Sequence, residues 1–202
     1  MKQDIILAGV GGQGILSIAF VIDSAALAEG LSFKQAEVHG MSQRGGAVQS
    51  HMRLSSGRIW SDLIPKGEAD MILSVEPLEA LRYLEYLRPD GIVVTSSTPY
   101  INIPEYPAVE SILAEIRNAG PCAIVDSEKI AKQAGSSKTQ NTVMLGAASN
   151  HLILKEETLR HFIEVLFKAR GESVVRANLK AFELGRAAAA GNVHEYQSRR
   201  DQ

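Results

Sequence analysis

Short apolar runs alternate with segments of helical period along most of the chain. Residues 4–8 form the first run, short and continuous like a strand buried on both faces. Gly9-Val10-Gly11-Gly12-Gln13-Gly14 follows as a turn. Ile15, Ile18, Ile22, Ala25 and Ala26 then recur at helical spacing, and Gly30 is a stop signal. Residues 32–38 suit a second strand. Val48, Ser50, Met52 and Leu54 alternate with Gln49, His51 and Arg53, the period of a half-exposed strand. After the turn Ser55-Ser56-Gly57, residues 58–60 read as a returning strand, which makes an inserted antiparallel hairpin.

The second half alternates again. Residues 69–75 read as a strand, and Glu76-Pro77 opens a helix with Leu78, Leu81, Leu84 and Leu87 on one face. Pro89-Asp90-Gly91 reads as a turn before a strand at 92–95. A proline-bearing loop leads to a helix over 109–118, a strand over 122–125, and a short helix capped by Ser127 that ends near Gly135. From 139 onward the pattern is helical, in segments 141–153, 156–169 and 173–189. The expected architecture is α/β: a Rossmann-like, mostly parallel sheet with an inserted antiparallel hairpin, helices on both faces and a helical C-terminal region. Residues 1–190 read as one domain and 191–202 as a polar tail that frays.

Composition narrows the chemistry. At 202 residues and 45% hydrophobic, the chain can bury a core without covalent staples. Its single cysteine, Cys122, excludes a disulfide framework and any cluster held by several thiolates. A net charge of -2 and 5% aromatics point away from nucleic acid and anionic membranes. The apolar run from Ile5 to Val10 is too short for a secretory leader or a membrane span, so a reducing cytoplasm fits best.

Two glycine-bearing segments are candidate sites. Gly9, Gly11 and Gly14 satisfy GxGxxG between a strand and a helix, where glycines permit close backbone approach and helix N–H groups attract an anion. Glu37 lies 23 residues after Gly14, near where a carboxylate takes a ribose hydroxyl in NAD-binding folds. A dinucleotide site and a simple close-packed turn are both open on these residues. The second segment is His39-Gly40-Met41-Ser42-Gln43-Arg44-Gly45-Gly46. Arg44 can clamp a phosphate or carboxylate, Ser42 and Gln43 add neutral contacts, and Gly45 and Gly46 expose backbone. This loop is expected to face the first turn at the carboxyl edge of the sheet. His39 and His51 have no histidine or carboxylate three or four residues on, and read as hydrogen-bonded side chains rather than metal ligands. His151 and His161 read as structural or exposed. Cys122 reads as a buried, inert thiol. No G-x-S-x-G elbow is present, and Asp23, Glu76, Glu79 and Asp126 form no evident acid–base pair in sequence.

Taken together, these segments resemble a known family. The opening from Gly9 to Leu16 resembles the gamma-type subunit of 2-oxoacid:ferredoxin oxidoreductases. The segment from Glu37 to Gly46 is similar to the indolepyruvate-type branch, in which this chain type is the beta subunit; Gly40-Met41-Ser42 stands where the pyruvate and branched-chain branches usually carry Gly-Pro-Glu. Gly67-Glu68-Ala69-Asp70, the segment from Glu76 to Arg82, and Asn141-Thr142-Val143-Met144-Leu145-Gly146 extend the resemblance over residues 4–185. It implies oxidative decarboxylation of arylpyruvates with coenzyme A, giving an aryl-acetyl-CoA, carbon dioxide and reduced ferredoxin. It also implies a larger alpha subunit that carries thiamine diphosphate, magnesium and iron–sulfur clusters. No catalytic residue is then expected here. Gly9, Gly11, Gly12, Gln13, Gly14, His39, Ser42, Gln43, Arg44, Gly45 and Gly46 would line the partner interface or the coenzyme A approach. The alternative is a stand-alone Rossmann-like module that binds NAD or CoA, or serves assembly, without catalysis of its own. An isolated copy would leave its docking face as an exposed apolar patch or cover it by forming a homodimer.

Overall fold

The computed structural model describes residues 1–39, 45–191 and 193–194, without the side chains of His39, Val193 and His194. Its centre is a seven-stranded sheet in the order β2-β3-β1-β4-β5-β6-β7. The strands are β1 (Lys2–Val10), β2 (Ser32–His39), β3 (Ala47–Ser55), β4 (Ala69–Ser74), β5 (Leu87–Ser96), β6 (Cys122–Val125) and β7 (Val193–His194). β1, β4, β5 and β6 run parallel, whereas β3 is antiparallel to β1 and to β2. The helices are α1 (Ile15–Ala28), α2 (Pro77–Arg82), α3 (Val109–Ala119), α4 (Ser127–Ala134), α5 (Gln140–Ser149), α6 (Glu156–Phe167) and α7 (Glu172–Ala190).

The period-two pleat of the strands builds two cores. Ile5 and Leu7 of β1 join Met71 and Leu73 of β4 under α1 and the C-terminal helices. Ile6 and Ile72 point the other way, toward Ala80 of α2 and Ile112 and Ile116 of α3. Each of these isoleucine, leucine and methionine side chains is buried and contributes about 1.5–3 kcal/mol. The C-terminal helices are locked by glycine. A Cβ at Gly146 of α5 would lie 2.1 Å from the Phe182 carbonyl oxygen of α7, and one at Gly185 would lie 2.1 Å from that of Val143. Thr142 donates across the same crossing to Asn178 Oδ1 at 2.7 Å.

Five local expectations change. Residues 58–60 are not a strand; the hairpin is β2–β3. β3 is hydrogen-bonded to β1 on one edge and β2 on the other, so no ladder remains for a third partner. Residues 61–63 are held instead by the Arg53 guanidinium, which donates to the carbonyls of Ser61 and Leu63. The helix expected through Leu87 stops at Arg82 and continues as a 3-10 turn over Leu84–Tyr86, because Leu87 already belongs to β5. Pro89-Asp90-Gly91 is then a bulge within β5, where the register with β4 jumps from Ala69↔Leu87 to Met71↔Ile92. At α4 the cap is Asp126, which accepts from Lys129 N–H at 2.9 Å, and Ser127 is the first helical residue. The polar tail, expected to fray, contributes β7 against Cys122 and Ala123.

Candidate functional site

In an open α/β sheet, ligands and partners meet the carboxyl edge where successive crossovers diverge to opposite faces. Here that point lies between β1 and β4, since α1 covers one face and α2 the other. The first glycine turn occupies one side of it. Gln13 N–H donates to the Val10 carbonyl at 3.0 Å, and Val10 N–H donates to Gln13 Oε1 at 2.8 Å. Gln13 therefore closes the turn on itself. Gly12 and Gly14 have φ of 102° and 81°, values that side chains disfavour. Gly14 also faces Asn141 at the start of α5: a Cβ there would lie 2.7 Å from Asn141 Nδ2. At Gly9 a Cβ would lie 2.8 Å from Ile15 Cδ1. At Gly9 and Gly14 the neighbours are side-chain tips that can give way, so it is the left-handed φ of Gly14 that calls for glycine within the chain, before any ligand is considered.

The second loop does face the first, as expected. Gly11 N–H donates to the Gly46 carbonyl at 2.8 Å, and Gly45 N–H to the Gly11 carbonyl at 3.3 Å. Ser42, Gln43 and Arg44 lie outside the described residues, as does the His39 side chain. The route by which the loops meet differs from a dinucleotide fold. β3 intervenes between β1 and β2, so Glu37 stands two strand spacings from β1, about 9.6 Å away instead of about 4.8 Å. The N–H groups of Val10, Gly11 and Gln13 are consumed within the protein.

Glu76, read in the sequence as the opening of a helix, and residues that the sequence did not single out build this edge. Glu76, 1% exposed, follows β4 and caps α2. Its Oε2 accepts from Glu79 N–H at 2.8 Å, and its Oε1 accepts from Tyr100 N–H at 3.3 Å and from the Tyr106 hydroxyl. Burial, then the bond to Glu76, pushes the Tyr106 hydroxyl well above its ordinary pKa. Asn102, on the same loop, donates to the Gly45 carbonyl at 2.7 Å. The loop after β5 thus ties the α2 terminus to the second glycine loop. Glu79 is also buried, and burial raises its pKa against the lowering effect of Arg82. Glu76 and Glu79 are neighbours on one helical turn, and the nearby Glu76 adds to the rise in the Glu79 pKa. The Glu-x-x-Glu spacing at a helix start is the signal that could have found the cap; nothing local marks Tyr106 or Asn102.

The remaining candidates are structural. His51 is buried in β3, accepts from Ile64 N–H at 3.0 Å and meets the Tyr86 ring edge-on. Burial and the nearby Arg53 lower its pKa, so it sits there neutral. Burial likewise lowers the pKa of half-buried His151, while exposed His161 packs edge-on against Phe162. Cys122 is buried in β6, and burial raises its thiol pKa. Among the described residues, no three His, Cys, Asp or Glu side chains are grouped to hold a metal ion. One thiol cannot supply the four ligands of a cluster. No described helix is long and apolar enough to cross a membrane.

A mostly parallel α/β sheet with a glycine-turn crossover, joined at its carboxyl edge by a hairpin loop, defines a Rossmann-like domain. Comparison with known proteins makes this specific: the chain belongs to the pyruvate ferredoxin/flavodoxin oxidoreductase family, whose model matches residues 4–188. It is 38% identical over 200 residues to the indolepyruvate oxidoreductase subunit IorB of Thermococcus kodakarensis, covering 94% of this chain and 97% of that one. The corresponding subunit of Archaeoglobus fulgidus is 35% identical over 192 residues, covering 92% and 94%. Two solved structures share the fold. The pyruvate oxidoreductase subunit PORC of Thermotoga maritima superposes with a TM-score of 0.73 at 23% identity, over 95% of this chain and 97% of that one. The 2-oxoglutarate:ferredoxin oxidoreductase of Magnetococcus marinus, solved with 2-oxoglutarate, coenzyme A and succinyl-CoA, gives 0.78 at 24% identity. That match covers 98% of this chain and spans only 32% of the longer one.

Proposed function

We propose that this chain is the non-thiamine-binding subunit of a 2-oxoacid:ferredoxin oxidoreductase that acts on arylpyruvates such as indolepyruvate. The observation that carries this reading is the near-full-length similarity to indolepyruvate oxidoreductase subunits. The complex would convert the oxoacid and coenzyme A to an aryl-acetyl-CoA and carbon dioxide, passing two electrons to ferredoxin. Thiamine diphosphate, magnesium and iron–sulfur clusters belong to a larger partner subunit in this reading, and they supply the carbanion and electron-transfer chemistry. Residues 1–190 act as one unit in the cytoplasm, with 191–202 as an appended tail.

The part of this chain would be to present its carboxyl edge. Gly9, Gly11, Gly12, Gln13 and Gly14 form one lip, and Gly45 and Gly46 the other, joined by the Gly11 hydrogen bonds. His39, Ser42, Gln43 and Arg44 belong to the same loop by sequence. Arg44 is assigned the contact with a phosphate or carboxylate, either of coenzyme A or of the partner.

Co-expression with a thiamine-binding larger subunit from the same organism tests the assignment. The two chains should co-purify, and the isolated chain should be colourless, iron-free and inactive until its partner is added. An iron chromophore on the isolated chain, or failure to associate with such a partner, refutes it. Arg44→Ala in the reconstituted enzyme should raise KM for coenzyme A or the oxoacid, or weaken assembly. Unchanged KM values with unchanged assembly would remove Arg44 from the site.

A further inference from the structure

The loop between β5 and α3, residues 97–108, is tied down more firmly than its burial requires. Its tip is in water: Ile101, Asn102 and Ile103 are exposed. Pro99, Pro104 and Pro107 each fix a backbone φ and stiffen it. It is also bonded to three other segments of the chain. Ser97 N–H donates to the Val125 carbonyl at 2.9 Å, at the end of β6. Tyr100 N–H and the Tyr106 hydroxyl both donate to Glu76 Oε1 at the start of α2. Asn102 Nδ2 donates to the Gly45 carbonyl.

These bonds do different things. Those to Glu76 satisfy a buried carboxylate, alongside the Glu79 N–H. Stripping them would leave a buried acceptor short of donors, so they belong to the stability of the fold. The bond from Asn102 lies at the surface, where water can take the place of either partner. Its loss orphans no buried group. Its contribution is to position rather than to stability.

What it positions is the carboxyl edge. Gly45 N–H donates to the Gly11 carbonyl, and Gly11 N–H to the Gly46 carbonyl. Three glycines meet there, and glycine has the most backbone freedom of any residue. An edge built from them is only as ordered as the bonds that restrain it. A line of contacts runs from buried Glu76 through the stiff loop to Asn102, and from there to Gly45 and Gly11. A surface ordered in advance is bound without the entropic cost of ordering it on contact.

We propose that Asn102 is a positioning residue for the carboxyl edge: through the Gly45 carbonyl it holds the two glycine lips in the arrangement that the larger subunit recognises. This rests on the functional reading above. It adds that the loop after β5, anchored on Glu76, keeps that edge ordered before the partner arrives.

The test uses the full chain and a thiamine-binding larger subunit from the same organism. Asn102→Ala and Asn102→Asp both remove the donor, and the second keeps the side-chain shape. In the isolated chain each should speed amide hydrogen exchange at Gly11 and Gly45 about threefold or more, the equivalent of one hydrogen bond. Exchange at the amides of β1 and β4 and the urea midpoint should not change. Association with the larger subunit should weaken about threefold to tenfold for both variants. Unchanged exchange at Gly11 and Gly45 overturns the positioning role. A lower midpoint with faster exchange throughout the sheet makes Asn102 a structural residue and also overturns it. Faster exchange at the two glycines with unchanged association overturns the role in recognition and leaves the functional reading intact. Failure of the unsubstituted chain to associate overturns both.

Discussion

Asp23→Asn removes an ionisable group from a place that opposes its charge. Burial alone raises the Asp23 pKa from 3.8 to about 7. The sign follows from proton linkage. Below about pH 4 the carboxyl is protonated in both the folded and the unfolded chain, and it costs nothing. Between about pH 4 and 7 the unfolded chain has released the proton while the folded chain still holds it, so stability falls as pH rises. Above about pH 7 both states are ionised, and the penalty is constant. At 1.36 kcal/mol per pH unit, the span from 3.8 to about 7 sets a ceiling of about 4 kcal/mol. The part of that span above pH 5 is worth about 3 kcal/mol. Urea unfolding of the isolated chain at pH 5 and pH 8 reads this directly. The advantage of Asp23→Asn over the unsubstituted protein should grow by up to about 3 kcal/mol between the two pH values. Every other titrating group cancels in the difference. An advantage that does not change with pH would show that Asp23 finds a donor in the folded chain, and the account of its burial would be wrong.

Three other substitutions or treatments probe the core. Gly146→Ala puts a methyl 2.1 Å from the Phe182 carbonyl oxygen, a backbone atom that cannot step aside. The α5–α7 crossing should open at a cost of about 3 kcal/mol or more, read as a fall in Tm of ten degrees or so. Arg53→Met removes two bonds of 2.9 Å from the Asp4 carboxylate, whose side chain is 0% exposed, and leaves it the half-exposed Lys2 ammonium at 2.9 Å as its ion-pair partner. A loss of about 2–3 kcal/mol is expected by chemical denaturation, below the cost of a fully unpaired buried charge. Cys122 should resist iodoacetamide in the native protein at pH 8 and react once urea exposes it, since burial both covers the thiol and raises its pKa. Native-state labelling at the rate of a free thiol would contradict the buried placement in β6.

What the sequence made legible follows from what is local. The β1–turn–α1 unit is written in a change of period at a glycine run, and both signals act within a few residues. β6 is bounded by Gly120-Pro121 on one side and the Asp126 cap on the other, so its limits are also local. The pairing of β3 is not. Its alternation declares a strand with two faces but says nothing of its two edges, and β1 and β2 claim both. Residues 58–60 read as a strand only while one of those edges seemed free. The hold of Glu76 on Tyr106 and of Asn102 on Gly45 spans 30 and 57 positions, which no window of periodicity can see. Asp23 is an intermediate case. Its place amid Leu16, Phe20 and Leu27 is visible on a helical wheel, but its unpartnered oxygen is not.

The glycine turn shows how topology decides what a motif means. In a dinucleotide fold the strand after the first helix lies beside β1, and its terminal carboxylate reaches a ribose held at the turn. Here the same six-residue spacing is present, but β3 has been inserted at that position with opposite polarity. Three consequences are coupled. Glu37 is carried one strand further out. The ladder between β1 and β3 continues past the strand ends into the Gly11 bonds with Gly45 and Gly46, which consumes donors at the turn. Gly14, held at a left-handed φ, faces Asn141 of α5, a contact made inside the chain. The glycines thus serve to bring three backbone segments into one compact edge. The N–H groups of Val10, Gly11 and Gln13 are spent inside the chain, which leaves the turn fewer donors for a pyrophosphate than the isolated motif promises.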